Sequence, residues 1–223
     1  MAVVVPDIAE LFEEAYERAG LEMRSGYDLR TARRSLNLLT LEWQNRGLNL
    51  FTIESGTVPL VAGQATYTMP SDTIDLIEHQ LRTGTGVNQT DIALSRISVS
   101  TYATQTNKAL QGRPTQIYID RGLSTVATLW PVPDGSQSYT LFFYRLRGID
   151  GLSTGVGGQA AIPPRFIPAL VAGLAYEIAS KKPESAARVL PLKQVYEEQF
   201  QRAADEDRDR SPTFFSPFYP GGF

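Results

Sequence analysis

The sequence lacks the residues on which several kinds of protein chemistry depend. It has no cysteine, which excludes disulfides and thiolate chemistry and fits a reducing compartment or an assembly that is independent of redox state. Its only histidine is His79, so triads with a histidine base and sites with several histidine ligands are nearly excluded. We find no apolar run that could span a bilayer and no signal peptide, so we expect no membrane partner and no export by those routes.

An excess of positive charge is also missing. The net charge is −3 over 223 residues, and no segment concentrates basic residues as high-affinity nucleic-acid binders do. Apolar residues make up 42% and charged residues 20%, which is typical of a globular protein with one or two domains and a substantial core.

The most strongly patterned stretch is residues 27–51. Five apolar residues recur there at steps of three and four, so a helix would gather them into one buried stripe. We expect Asp28 to cap the start of this helix and Gly47 to end it, with Leu48 folding back onto Trp43. The buried stripe consists of Leu29, Ala32, Leu36, Leu39 and Trp43, and the opposite side carries Arg30, Arg33, Arg34, Asn37 and Gln44.

Three further helices are predicted near the two ends of the chain. Residues 7–19 form an amphipathic helix with a capping box from Asp7 and Glu10 and a Schellman end at Gly20, and it should make an antiparallel hairpin with the long helix. A third helix starts at residues 163–164 and stops before Pro183. Residues 184–205 form a fourth, whose main part should start at about Pro191.

The middle of the chain changes to a period of two, which indicates strands. Residues 98–110 are more helical than extended, and residues 148–162 are a glycine-rich linker. The last strand is apolar on both faces, as a central strand or one covered by a helix or a neighbouring subunit would be. The predicted strands are residues 52–60, 65–69, 74–82, 90–97, 115–120, 125–130 and 139–147.

The C-terminal tail, residues 211–223, has no charge and five aromatic side chains. Its prolines and glycines exclude a regular helix. Each aromatic side chain offers about 150–250 Å² to bury, so the tail should dock on its own domain or, as we predict, on a partner. The candidate partner-binding residues in it are Phe214, Phe215, Phe218, Tyr219 and Phe223.

No pattern in the sequence predicts a catalytic, cofactor or metal site. Arg33 and Arg34 are candidate partner-binding residues that would contact phosphates or an acidic subunit surface, and a solvated helix face is the alternative. Paired carboxylates for glycoside cleavage can come from anywhere in a fold, but no local pattern favours any one of them. The carboxylates considered are Glu42, Glu54, Asp72, Asp75 and Glu78.

Several motifs in a fixed order resemble one known family. The run from Ser35 to Leu39 followed by residues 42–50, EWQNRGLNL, is similar to a signature of the head-to-tail adaptor proteins of short-tailed bacteriophages, also called head-completion or tail accessory proteins. Each motif alone is a packing or turn signature, and their order over nearly the whole chain carries the resemblance. The further motifs are residues 67–70 with Asp72, residues 108–114, residues 129–135, and the C-terminal helix pair with Tyr196-Glu197.

The resemblance implies a structural, non-enzymatic protein of the virion neck that assembles in the host cytoplasm. Such proteins form a dodecameric ring beneath the portal, extend the DNA channel, help to retain packaged DNA and support the next tail or nozzle protein. The implied partners are the portal protein, the tail protein, other copies of the chain, and double-stranded DNA that passes without specific binding. Two alternatives remain: a virion-associated cell-wall hydrolase, and a carbohydrate-binding tail module that uses Trp130 and tyrosines as stacking platforms.

The predicted fold class is α+β, a helical bundle from both ends of the chain with a central, mainly antiparallel β domain and an extended C-terminal tail. The expected divisions are a helical hairpin at 1–51, a β domain at 52–150, a linker at 151–162, a helical pair at 163–204 and an aromatic tail at 205–223.

Overall fold

A computed structural model of the chain describes residues 7–47, 52–149 and 162–207. The predicted α+β fold class is confirmed: helices come from both ends of the sequence and strands from the middle. The helices are α1 (Ile8–Ala19), α2 (Gly26–Asn45), α3 (Val99–Ala103), α4 (Ile167–Lys181) and α5 (Val189–Glu206). The strands are β1 (Ile53–Pro59), β2 (Thr66–Thr68), β3 (Thr73–Thr83), β4 (Thr90–Ala93), β5 (Ser95–Ile97), β6 (Gln111–Gly112), β7 (Gln116–Arg121), β8 (Thr125–Trp130), β9 (Val132–Pro133) and β10 (Tyr139–Arg147).

Helix α4 is the centre of the helical part, because α1, α2 and α5 all pack on it. Its apolar side chains are buried on nearly all sides, from Ala169 to Ala179. Gly173 lets α2 and α5 approach closely, since a Cβ atom there would lie 2.9 Å from both Leu39 and Tyr196. The Trp43 indole N–H donates to the Tyr196 hydroxyl at 2.9 Å, which joins α2 to α5 in the middle of this core.

The helix ends confirm some of the predicted caps and correct one. Asp7 and Glu10 form the predicted capping box of α1, and Gly20 ends the helix at φ 75°. The N-cap of α2 is Ser25, so the assignment of Asp28 as the cap was wrong. Asp28 lies in the first turn, where its carboxylate accepts from the backbone N–H of Ser25 in a reciprocal box. At the other end, Arg46 is the C-cap and Gly47 has φ 137°, while Leu48 lies outside the described residues.

Prolines mark the starts and ends of α4 and α5, as the sequence predicts. A short 3₁₀ turn, Pro164–Phe166, precedes α4, and Pro183 follows its C-cap. A second 3₁₀ segment, Pro183–Arg188, leads into α5, which begins two residues before Pro191. Pro191 is tolerated in the first turn of α5, where the backbone N–H groups have no partner within the helix.

The strands form two four-stranded sheets that share one apolar core, and a small parallel pair, β6 with β9. The first sheet has the order β1-β10-β3-β4 and is antiparallel throughout. The second has the order β2-β8-β7-β5, in which only β5 pairs in parallel. Strand β10 lies inside the first sheet, between β1 and β3, and a central position was one expected explanation of its two apolar faces. Leu141 and Phe143 on one face are buried in the core, and on the other face the guanidinium of Arg82 lies 4.2 Å from the centre of the Phe142 ring.

Two predicted elements differ from the structure. Residues 90–97 were expected as one strand, but β4 pairs with β3 in the first sheet and β5 with β7 in the second. Leu94 lies at the crossing, buried at 5% exposure, and its N–H donates to the carbonyl of His79. The helix expected over 98–110 is limited to α3, because its threonines and the turns that follow favour other backbone conformations.

Candidate interaction surfaces

The outward side of α2 carries a line of exposed side chains, which we call the exposed stripe: Tyr27, Arg30, Arg34, Leu38 and Leu41. Successive members are three or four residues apart, so all five fall within an arc of about 80° around the helix. Tyr27, Leu38 and Leu41 are 58%, 56% and 52% exposed, although each is large and apolar. Among the described residues, nothing covers this stripe. Such a row indicates a surface that contacts another molecule.

Arg33 and Arg34, the predicted partner-binding residues of this helix, lie on or beside the exposed stripe. Together with Tyr27 and Arg30 they line a shallow surface groove of about 420 Å³. Arg34 donates to the Thr31 hydroxyl at 3.4 Å, and the Nε atom of Arg33 is buried without a hydrogen-bond partner in the described part of the chain. The structure shows no ion pair for Arg30, Arg33 or Arg34 within residues 7–47, 52–149 and 162–207.

The C-terminal end of α4 extends this positive surface. The Lys181 ammonium donates to the Ser35 hydroxyl at 2.7 Å, and Lys182 lies 3.5 Å from the carboxylate of Asp28. The hydrogen bond from Ser25 and the nearby Lys182 charge hold the pKa of Asp28 below its ordinary value, so this carboxylate stays ionised and keeps Lys182 in place. The N-terminal half of α2 is thus a basic surface with apolar side chains among its cations.

Helix α1 presents the opposite charge. Glu10, Glu13, Glu14 and Glu17 are exposed, and they form two pairs that are four residues apart, Glu10 with Glu14 and Glu13 with Glu17. Beside them, α1 and the start of α4 enclose a second groove of about 420 Å³. Its apolar lining is Leu11, Ile167, Pro168 and Val171, and its charged rim is Glu10, Glu14 and Arg18. We call this groove with its rim the acidic groove. Glu13 and Glu17 lie beside it on α1 and line a neighbouring depression with residues 21–24.

The sequence interpretation missed three members of the exposed stripe: Tyr27, Leu38 and Leu41. The signal was present, since their spacing follows the same helical period as the buried stripe. Assigning one apolar face to α2 left these three unexplained. The five aromatic candidates Phe214, Phe215, Phe218, Tyr219 and Phe223 lie outside the described residues, as does most of the predicted linker at 151–162.

The carboxylates considered for catalysis are mostly held in ion pairs. Arg145, only 9% exposed, donates to Asp72 at 2.5 Å and to Glu54 at 2.9 Å. The hydrogen bond from Arg145 holds the pKa of Asp72 below its ordinary value, which is the opposite of what a general acid at neutral pH requires. Asp75 pairs with Arg96 at 2.9 Å, and Glu42 pairs with Arg46. Glu78 shows no ion pair in the described part of the chain.

The single histidine and the aromatic side chains considered for carbohydrate binding belong to the β part of the chain. His79 is buried at 8% exposure, and burial lowers its pKa. The Trp130 indole N–H donates to the carbonyl of Asn107 at 3.0 Å, and the Tyr118 ring stacks on Tyr102 at 5.5 Å. One ring face of each of these two tyrosines is therefore covered by the other tyrosine.

Within the described ranges, no group of three or more histidine, aspartate or glutamate side chains is placed to hold a metal ion. None of the helices described there is long and apolar enough to cross a membrane. The distinctive features of the molecule are thus the exposed stripe and the acidic groove, two surfaces of opposite charge on one helical core.

Comparison with known proteins identifies a family. The model of a family described as SU10 adaptor protein matches residues 7–220, which is nearly the whole chain. No curated protein matches the sequence.

Proposed function

The chain belongs to the SU10 adaptor protein family, a family of phage head-to-tail adaptors, and from this membership we propose that it forms a ring between the portal and the tail of a virion. In this role the ring extends the DNA channel and helps to retain the packaged genome. The family implies a structural, non-enzymatic protein. We propose further that the ring assembles on the portal in the host cytoplasm.

The observation that carries the proposal is the extent of the family match, which spans both helical ends and the β part. The surfaces are consistent with it. An adaptor contacts several proteins at once, and this chain has two surfaces of opposite charge, each with apolar side chains, on the same helical core. The net charge of −3 also suits a channel through which DNA slides, because a strongly basic wall would retain phosphates.

The test uses the purified chain and the portal protein of the same phage. Mixed together, they should form a complex in which a ring of this chain caps one end of the portal, visible by negative-stain imaging and measurable as a defined mass. A chain that remains separate from the portal at all concentrations would overturn the proposal. Degradation of purified cell wall, abolished by replacing one carboxylate, would favour the hydrolase instead, and glycan binding by the isolated chain would favour the carbohydrate module.

We also propose that the aromatic tail, residues 211–223, docks on a neighbouring virion protein. Five aromatics without charge would otherwise expose a large apolar area to water. Deleting these residues should leave the melting temperature of the free chain unchanged and remove or weaken binding to the portal or the tail protein. A matched variant with the five aromatics changed to serine separates loss of the rings from loss of length. A lower melting temperature with unchanged partner binding would show that the tail packs on its own chain.

A further inference from the structure

We propose that the exposed stripe of α2 in one copy of the chain packs into the acidic groove of the next copy. The inference rests on the proposed ring and specifies the two surfaces that join neighbouring subunits. It accounts for features that the fold of a single chain leaves without a role, namely apolar side chains exposed beside arginines that have no carboxylate partner among the described residues.

The charges of the two surfaces are complementary. Arg30 and Arg34 lie on the exposed stripe without a carboxylate partner in the described part of the chain. Arg33 beside them has a buried Nε atom without a hydrogen-bond partner in that part. On α1, next to the acidic groove, Glu13 and Glu17 are exposed and form no ion pair within the described ranges, whereas Glu14 at its rim pairs with Arg18 at 2.7 Å. Because a guanidinium and a carboxylate form strong, directional hydrogen bonds, the glutamates of a neighbour are suitable acceptors for these arginines.

The apolar parts also match. Leu38 and Leu41 project from α2 at more than half exposure. The acidic groove offers an apolar floor made by Leu11, Ile167 and Val171. Large side chains of a ridge that enter a groove between two helices are the usual way in which helices pack. Glu13 and Glu17, which lie beside the groove on α1, would then face the arginines of the stripe.

The positions of the two surfaces favour a contact between different copies. The acidic groove lies at the start of α4, next to Ile167, whereas Lys181 and Lys182 at the end of α4 adjoin the exposed stripe. The surfaces thus lie towards opposite ends of the central helix, and each is distinct from the other. A contact between two different surfaces is heterologous, and repeating it generates a closed ring when the rotation per subunit closes.

Cross-linking tests the pairing directly, because the chain has no native cysteine. We would prepare Glu14→Cys and Arg34→Cys separately and treat them with a short bismaleimide in the presence of the portal protein. The mixture of the two variants should give cross-linked dimers, and a chain carrying both changes should give a ladder of multimers. Each single variant alone should give none. Lys193→Cys on the exposed side of α5 replaces Arg34→Cys as the matched control and should not cross-link to Glu14→Cys.

Charge reversal provides an independent measurement. Arg30→Glu with Arg34→Glu should weaken association between copies about tenfold or more, because like charges would then oppose each other. Glu13→Lys with Glu17→Lys should weaken it similarly, and the chain with all four changes should associate within a few-fold of wild type. Sedimentation velocity measures the association, and far-ultraviolet circular dichroism checks that each variant is folded.

A matched pair of reversals, Lys193→Glu with Arg202→Glu on α5, alters the net charge by the same amount and should leave association unchanged. If this control weakens association as much as the arginine reversals do, the proposed pairing is wrong.

Rings that form on the portal without the cross-link between positions 14 and 34 would overturn this inference and leave the proposed function intact. Cross-links from Arg34→Cys to the portal would assign the exposed stripe to that protein, and absence of any ring would count against the proposed function itself.

Discussion

The hydrogen bond between Trp43 and Tyr196 gives the sharpest prediction about the helical core. It joins residues 153 positions apart in the sequence, at 2.9 Å, in a site where both side chains are at most 1% exposed. Burial raises the pKa of Tyr196, so its hydroxyl stays protonated, accepts from the Trp43 N–H and donates towards Glu42 at 3.4 Å. The ring itself stacks on Tyr176 and lies 5.0 Å from the guanidinium of Arg46.

Tyr196→Phe removes the hydroxyl and leaves those ring contacts in place. The Trp43 N–H then remains buried without an acceptor, which costs about 1–3 kcal/mol of unfolding free energy. For a chain of this length the melting temperature should fall by about 4–8 °C for a loss of 2 kcal/mol. Urea unfolding followed by far-ultraviolet circular dichroism measures the change.

Tyr102→Phe is the matched control, because this half-buried tyrosine stacks on Tyr118 and its hydroxyl has no hydrogen bond in the described part of the chain. It should change the unfolding free energy by less than about 0.5 kcal/mol. In a double-mutant cycle, Trp43→Phe and Tyr196→Phe should show coupling of at least about 0.5 kcal/mol. Equal stability of Tyr196→Phe and wild type, together with no coupling, would refute the reasoning that this bond joins the two ends of the chain.

Three further predictions concern the pH dependence and the helix ends. Because Arg145 holds the pKa of Asp72 below its ordinary value, wild type should lose stability as the pH falls from about 5 to 3, and Asp72→Asn should lose less over that range in urea titrations. Gly20→Ala should lower the unfolding free energy by about 1 kcal/mol because of φ 75°, whereas Gly26→Ala in the first turn of α2 should be neutral or stabilising; equal effects would contradict the role of Gly20. Asp7→Ala should cost about 1 kcal/mol through loss of its capping box, and unchanged thermal unfolding would contradict this.

Much of the fold could be predicted because local signals and tertiary packing agree. Four members of the predicted stripe, from Ala32 to Trp43, are buried in the helical core, and Leu29 packs partly buried against it. Gly20 ends α1 where glycine best adopts a positive φ. The sequence patterns gave wrong predictions where the residues were compatible with two local structures. Both Ser25 and Asp28 can cap a helix, and only the backbone conformation at Ser25 decides between them. Likewise, residues 90–97 alternate as one strand would, and the crossing at Leu94 depends on partners far away in sequence.

The interaction surfaces were only partly predictable. Arg33 and Arg34 were identified by charge alone, and the structure places Arg34 on the exposed stripe and Arg33, half-buried, beside it. The exposure of Leu38 and Leu41 depends on which face of α2 meets α4, and that is fixed by the whole bundle. The acidic groove needs Leu11 from one end of the chain and Ile167 from the other, so no local pattern could reveal it.

Imaging of the intact virion tests the central claim most directly. A cryo-electron microscopy reconstruction of the neck should contain a ring built from copies of this α+β fold, with one face on the portal and the other on a tail protein. A neck whose density is fully explained by other proteins, with this chain at the tail tip or absent from the particle, would contradict the account.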